Sequence, residues 1–158
     1  MRKILDLISL AILAALFLTV GLALYGAARL PARIPTHFDA AGNANGWGSP
    51  LALLFLPFIA LGVYLLLTVA ARFSALFNYP GWIKITDENR PRLEALTVDL
   101  LAWMKAEMVC LFAAITWIWL HAIRRPEKGF SPLWTLTVAG AILVTIACYI
   151  RAMVRAAR

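Results

Sequence analysis

The chain has 158 residues, of which 63% are hydrophobic and 15% charged, with a mean hydropathy of +0.81 and a formal net charge of +7. Soluble domains average about 45–50% apolar and about 25% charged residues, so this composition excludes a disordered tail, a collagen-like fibre and an ordinary cytosolic enzyme. Little polar sequence remains to cover a soluble core, and the chain reads as a polytopic membrane protein.

A bilayer core about 30 Å thick takes about 20 helical apolar residues. Residues 7–28 are uncharged and give the first span. The stretch exceeds the apolar region of a signal peptide, about 7–15 residues, so it is expected to remain as a helix behind Arg2 and Lys3. Residues 29–50 form a loop and residues 51–71 the second span, where Pro57 removes one helical hydrogen bond and predicts a kink. Residues 72–101 form a polar loop and a helical stem. Thr86 suits an N-cap, Asp87 and Glu88 suit a first turn, and Pro91 is tolerated only there. Leu93, Leu96, Leu100 and Met104 then mark one apolar face, with Phe73, Phe77, Tyr79 and Trp82 as its expected partner. The third span, residues 102–123, is uncharged only from 108 onward, about 24 Å of helix, so it must take in Lys105 and Glu107. The fourth covers residues 132–150.

Helices in lipid approach along small residues. Ala102, Ala106, Cys110, Ala113 and Ala114 on the third span, and Thr137, Ala141, Thr145 and Cys148 on the fourth, predict two stripes that face each other across the short connection 124–131. Ala11 and Ala15 form a shorter stripe on the first span.

Lys and Arg in the connections set the orientation. One side carries Arg2, Lys3, Arg72, Lys84, Arg90, Arg92, Arg151, Arg155 and Arg158; the other carries Arg29, Arg33, Arg124, Arg125 and Lys128. The richer side is expected to be cytoplasmic. The expected fold is an all-α membrane protein, a four-helix transmembrane bundle with both termini inside and a structured outer loop between the first two helices. The basic balance then reflects helix flanks that meet anionic headgroups, and no basic soluble module points to nucleic acid. Trp117, Trp119, Trp134 and Tyr25 are expected near the outer interface, and Trp82, Trp103 and Tyr149 near the inner one. Cys110 and Cys148 fall in the cytoplasmic halves of their helices, so no disulfide is expected.

The polar minority holds the candidate sites. Asp99 and Glu107 share one face of the third helix with Trp103 between them, while Lys105 points roughly the opposite way. Ionisable residues at this depth are functional candidates, although Lys105 can snorkel to the headgroups. In the outer loop, Pro31 and Pro35 hold the chain extended, residues 36–38 suit a short strand, and Asn45-Gly46 signals a turn. Leu30, Ile34, Phe38 and Trp47 are expected to cap the bundle. His37, Asp39 and His121 offer the residue types of a metal site, but an anchoring role and a helix-end role explain them without metal, and no metal or cofactor is expected. Residues 41–46 lack the acids of a calcium loop, and no zinc-protease, nucleophile-elbow or P-loop motif occurs, so no enzyme is expected.

The run Ile34-Pro35-Thr36-His37-Phe38, then Gly42, then Gly46-Trp47-Gly48-Ser49, lies between the first and second membrane helices. It resembles the N-terminal unit of the SdpI-like membrane proteins, bacterial proteins related to an immunity protein against a sporulation-delaying toxin; that unit is otherwise catalogued as a domain of unknown function. Asn78-Tyr79-Pro80 with Ile85-Thr86 and Glu88-Asn89-Arg90 is similar to the family's cytoplasmic motif. The resemblance covers residues 7–117. Asn45 stands where the family often has an acid, Pro50 where it often has lysine, and the immunity protein carries additional helices. The resemblance implies a location in the bacterial cytoplasmic membrane. It also implies a non-enzymatic binding, immunity or sensor module acting through Ile34, Pro35, His37, Phe38, Gly42, Asn45, Gly46, Trp47 and Gly48. Its expected partners are the lipid bilayer and a peptide or protein at the membrane, with a homo-oligomer also open. Two other readings stay open: a small transporter subunit using Asp99, Lys105 and Glu107, and an accessory subunit of a larger membrane complex.

Overall fold

Four helices among the described residues are long and apolar enough to cross a membrane. The structure is a computed structural model that describes residues 1–26, 30–39, 41–73, 75, 77–124 and 133–157, with the backbone alone at 134, 135 and 138. The connection expected at 124–131 beyond Arg124, the Trp134 ring and the basic residues Arg29, Arg125, Lys128 and Arg158 lie outside this description.

Helix α1 is Arg2–Tyr25, β1 is Ile34–Phe38 and β2 is Ala44–Gly48. A 3-10 turn over Pro50–Leu54 leads into α2, Phe55–Ala70; α3 is Arg90–Arg124 and α4 is Leu133–Ala156. The 3-10 turn is started by Ser49, whose hydroxyl accepts from the Leu51 amide at 3.3 Å. Pro57 therefore sits in the first turn of α2, where the ring is tolerated. The chain changes from 3-10 to α geometry just before the position of the expected kink.

The 35 residues of α3 run about 50 Å, well beyond one bilayer core. Its start is capped reciprocally. The Thr86 amide donates to Asn89 Oδ1 at 2.9 Å, and the Asn89 amide donates to Thr86 Oγ1 at 3.2 Å. This is a capping box with Asn in the place of Glu or Gln. The stem that follows buries Leu93 against Ile83, Met153 and Ala156, with Tyr79, Leu96 and Leu100 beside them. Of the expected aromatic partners, Tyr79 packs on the stem, whereas Phe73 and Trp82 are exposed.

Helix α3 is the hub and packs along α1, α2 and α4. At mid-height Leu13, Leu16, Ala60 and Val109 close the contact among α1, α2 and α3. Phe17 meets Phe58 edge-on, with ring centres 5.5 Å apart. Hydroxyls within the helices bond back to their own backbone, as Ser9 does to the Leu5 carbonyl at 2.6 Å and Thr116 to Phe112 at 2.8 Å. A membrane helix thereby satisfies a polar group without water.

The two small-residue stripes do not face each other. Ala102 and Ala106 close on Leu5 of α1, and Ala113 joins the mid-height cluster. Cys110, Thr137, Ala141 and Cys148 are exposed. Small residues let α1 approach α3 closely, which the ion pairs described below require; α4 reaches α3 through Glu107 and through bulkier side chains at the stem. Ala106→Leu is therefore expected to lower the thermal midpoint in detergent, at an overpacking cost of about 1–3 kcal/mol. Ala141→Leu should change stability by no more than about 0.5 kcal/mol. Equal losses in circular-dichroism melts would restore the facing stripes.

Candidate functional site

The loop between α1 and α2 folds into an antiparallel hairpin of β1 and β2. Its turn is closed by Asp39 and Asn43, not by Asn45-Gly46. Asp39 Oδ1 accepts from the amides of Ala41 at 2.9 Å and Asn43 at 2.8 Å, and the Asp39 amide donates to the Asn43 carbonyl at 2.9 Å. Gly42 has φ 87°, the left-handed region that glycine enters without a Cβ clash. These local bonds outweigh the Asn-Gly signal, and a turn at 45–46 would leave residues 34–38 without a partner strand. The Asn43 amide above all, together with the Asn43 side chain and the amides of Ala41 and Gly42, favours the ionised form of Asp39 and holds its carboxyl below the ordinary value.

Asn45 and Gly46 instead sit within β2. The register pairs Ile34 with Gly48, Pro35 with Trp47, His37 with Gly46 and Phe38 with Ala44, with irregularities on either side of His37. These bring His37 Nδ1 onto Asn45 Oδ1. A Cβ on Gly46 would lie 2.8 Å from His37 Cβ, and one on Gly48 would lie 2.9 Å from Thr36 Cγ2. The two glycines that flank Trp47 are thus required by cross-strand contact.

The hairpin is fixed to the bundle at its β1 edge. Ile34 is fully buried with Val20, Leu53 and Ile123, and Leu30 packs beside them. The Trp119 indole donates to the Pro35 carbonyl at 2.5 Å, and Arg33 Nη2 donates to the Trp47 carbonyl at 2.9 Å. Phe38 is half-buried. The Trp47 side chain does not cap the bundle as expected; it is 47% exposed.

The polar residues at the opposite end, which holds the chain termini, pair between helices. Arg2 Nε meets Asp99 Oδ1 at 2.5 Å. The Lys105 side chain is only 5% exposed and does not snorkel. Its ammonium lies 2.5 Å from Asp6 Oδ1, donates to Thr68 Oγ1 at 3.2 Å and sits 4.9 Å from the centre of the Tyr64 ring. The Asp6 side chain is 46% exposed overall, yet the oxygen that meets Lys105 is covered. Glu107 Oε1 accepts from Thr145 Oγ1 of α4 at 2.5 Å, while its other oxygen is covered and has no hydrogen-bond partner among the described residues. Asp99 and Glu107 thus face different helices. Asp6 and Thr68 join the site without a sequence expectation, and Trp119 and Thr145, expected at the interface and in a packing stripe, act as hydrogen-bond donors. Asp6, standing just ahead of the first apolar run, was the detectable signal.

Of the third candidate group, Asn78 is exposed, the Tyr79 hydroxyl accepts from Thr97 Oγ1 at 3.2 Å, and the Pro80 carbonyl accepts from the Ile83 amide at 2.9 Å. His121 is exposed, its Nδ1 within 3.0 Å of the Trp117 carbonyl and its ring against that indole. It does not meet His37 and Asp39, and no cluster of three metal-ligating side chains occurs among the described residues.

Residues 12–61 match the family model described as a domain of unknown function, DUF1648, which spans most of α1, the hairpin and the first turns of α2. No curated protein and no solved structure matches the chain. The four apolar helices and this family match make the chain an integral, multi-pass membrane protein.

Two outcomes follow. Because the folded hairpin lowers the Asp39 pKa, its contribution is present above the ordinary carboxylate value of 3.8 and is lost as pH falls through the lower folded value. The protection of the Asn43 amide, taken relative to its intrinsic exchange rate at each pH, should therefore hold down to about pH 4 and fall below it in the wild type, whereas Asp39→Ala should show little protection at any pH. A wild-type profile that is flat to lower pH would remove the carboxylate from the turn. Asp6→Leu, which leaves a buried ammonium without its anion, should lose up to about 3–5 kcal/mol in a detergent melt, and Asp6→Leu combined with Lys105→Met should regain most of it. Additive losses would show that the pair is not coupled.

Proposed function

We propose that this is a non-enzymatic binding module of the SdpI-like type, set in the bacterial cytoplasmic membrane with both termini inside and the hairpin outside. The hairpin presents Trp47 to a peptide or protein partner at the membrane surface. The observation that carries this reading is the Trp47 side chain, 47% exposed on a strand whose neighbour is held to α3 through Ile34 and the Trp119 indole. A rigid aromatic ring on a fixed hairpin loses little entropy on docking and is a common binding hot spot. Immunity and sensing would both use such a surface, the first by retaining a membrane-active peptide and the second by transmitting its capture. The inter-helix partners of Asp99, Lys105 and Glu107 favour helix cohesion for these residues over transport.

The reading is tested in cells that display the protein and are challenged with membrane-active peptides, using Trp47→Ala with Trp117→Ala as the control. Loss of the Trp47 ring should weaken peptide capture by about 2 kcal/mol, roughly thirtyfold, at unchanged protein level. Trp117→Ala, which removes a still more exposed tryptophan from α3, should leave capture intact. Equal effects would reduce Trp47 to an interfacial anchor and overturn the proposal.

A further inference from the structure

At the end of the bundle that holds the termini, α1, α2 and α3 line an open cavity of about 170 Å³. Its polar lining is Arg2, Asp6, Thr68, Arg72 and Lys105, and Leu67 and Leu101 supply apolar wall. Two of the three cations are already balanced, Lys105 by Asp6 and Arg2 by Asp99. Thr68 is also engaged, donating to the Tyr64 carbonyl at 2.7 Å and accepting from Lys105. Arg72 follows the end of α2 and has no acidic partner among the described residues. The cavity therefore carries one guanidinium in excess of its acidic partners. A monoanion is the complement, and a phosphate ester matches the fork of an arginine.

We propose that this cavity binds the phosphate of a phospholipid headgroup, with Arg72 as its principal donor and Arg2 beside it. The apolar wall distinguishes the lipid from a free anion. Leu67 and Leu101 lie where the glycerol and first acyl carbons of a lipid would rest, and a free phosphate has no use for them. Basic pockets between membrane helices are established headgroup sites in general. The site is independent of the hairpin and holds whether or not the hairpin binds a peptide.

The test uses the full-length protein, purified in detergent and stripped of lipid, titrated calorimetrically with dihexanoyl phosphatidylglycerol, dihexanoylglycerol and sodium phosphate. The phospholipid should bind saturably and the phosphate-free glycerolipid should not. Arg72→Gln should weaken phospholipid binding by roughly tenfold, the scale of one lost charge-assisted hydrogen bond. Arg90→Gln, an exposed cation at the start of α3, should leave it unchanged. Sodium phosphate bound as tightly as the phospholipid would uphold the phosphate site and overturn its lipid source. Equal weakening by the two variants, or equal binding of the two glycerolipids, would overturn the site.

Discussion

An ammonium held inside a bilayer must find an anion, and Lys105 meets this constraint with groups from two other helices. Its carboxylate partner comes from α1, while its hydroxyl partner Thr68 and the ring face of Tyr64 come from α2. Desolvating a lone charge costs several kcal/mol even after relaxation, so this one side chain fixes the rotation of α3 about its axis. Once Lys105 points inward, helical periodicity sends Ala102, Val109, Thr116 and Ile123 to the same side, and all four are buried. Glu107 is then turned away from α1 and α2, and its partner is Thr145 on α4. The hub position of α3 follows from where its charges lie.

The far end of α3 is fixed by a different kind of bond. There the indole of Trp119 reaches the Pro35 carbonyl, and Ile34 fills the space between Val20, Leu53 and Ile123. Proline suits this place for two reasons. It donates no hydrogen bond of its own to the ladder, and its ring holds the strand extended beside Ile34. Ion pairs at one end and an indole bond at the other give α3 separate attachments, with Asp99 and Trp119 about 30 Å apart along the helix.

The helices were legible because long uncharged runs admit few alternatives. The start of α3 was legible too, since Thr86 and the acids after it mark a helix N-terminus, although the part of Asn89 in the cap went unread. The ion pairs were not legible. Helical periodicity says that Lys105 and Glu107 diverge, but it cannot say which helix each one meets. Asp6 stands just ahead of the first uncharged run, where a carboxylate carries no mark of the helix it will meet. The hairpin turn was misplaced for a related reason. Asn-Gly is a strong local signal, yet Gly46 and Gly48 are glycine because His37 and Thr36 crowd them across the ladder. Close approach and turn formation leave the same letter in a sequence, and only strand pairing separates them.

The hairpin also separates two uses of one residue type. Trp119 is half-buried, and its nitrogen is spent on the Pro35 carbonyl. Trp47 is exposed, and the bond that ties it to Arg33 is made by its backbone carbonyl. Exposed rings on α3 and at the end of α1 need no explanation beyond lipid contact, since aromatic side chains favour the membrane interface. Trp47 differs because the strand beneath it is constrained at every neighbouring position. Two glycines without room for a side chain, a bulged register and a carboxylate-bound turn hold one large ring in a set place. Lipid is fluid and does not require such placement, which is what supports the proposed binding role of this ring.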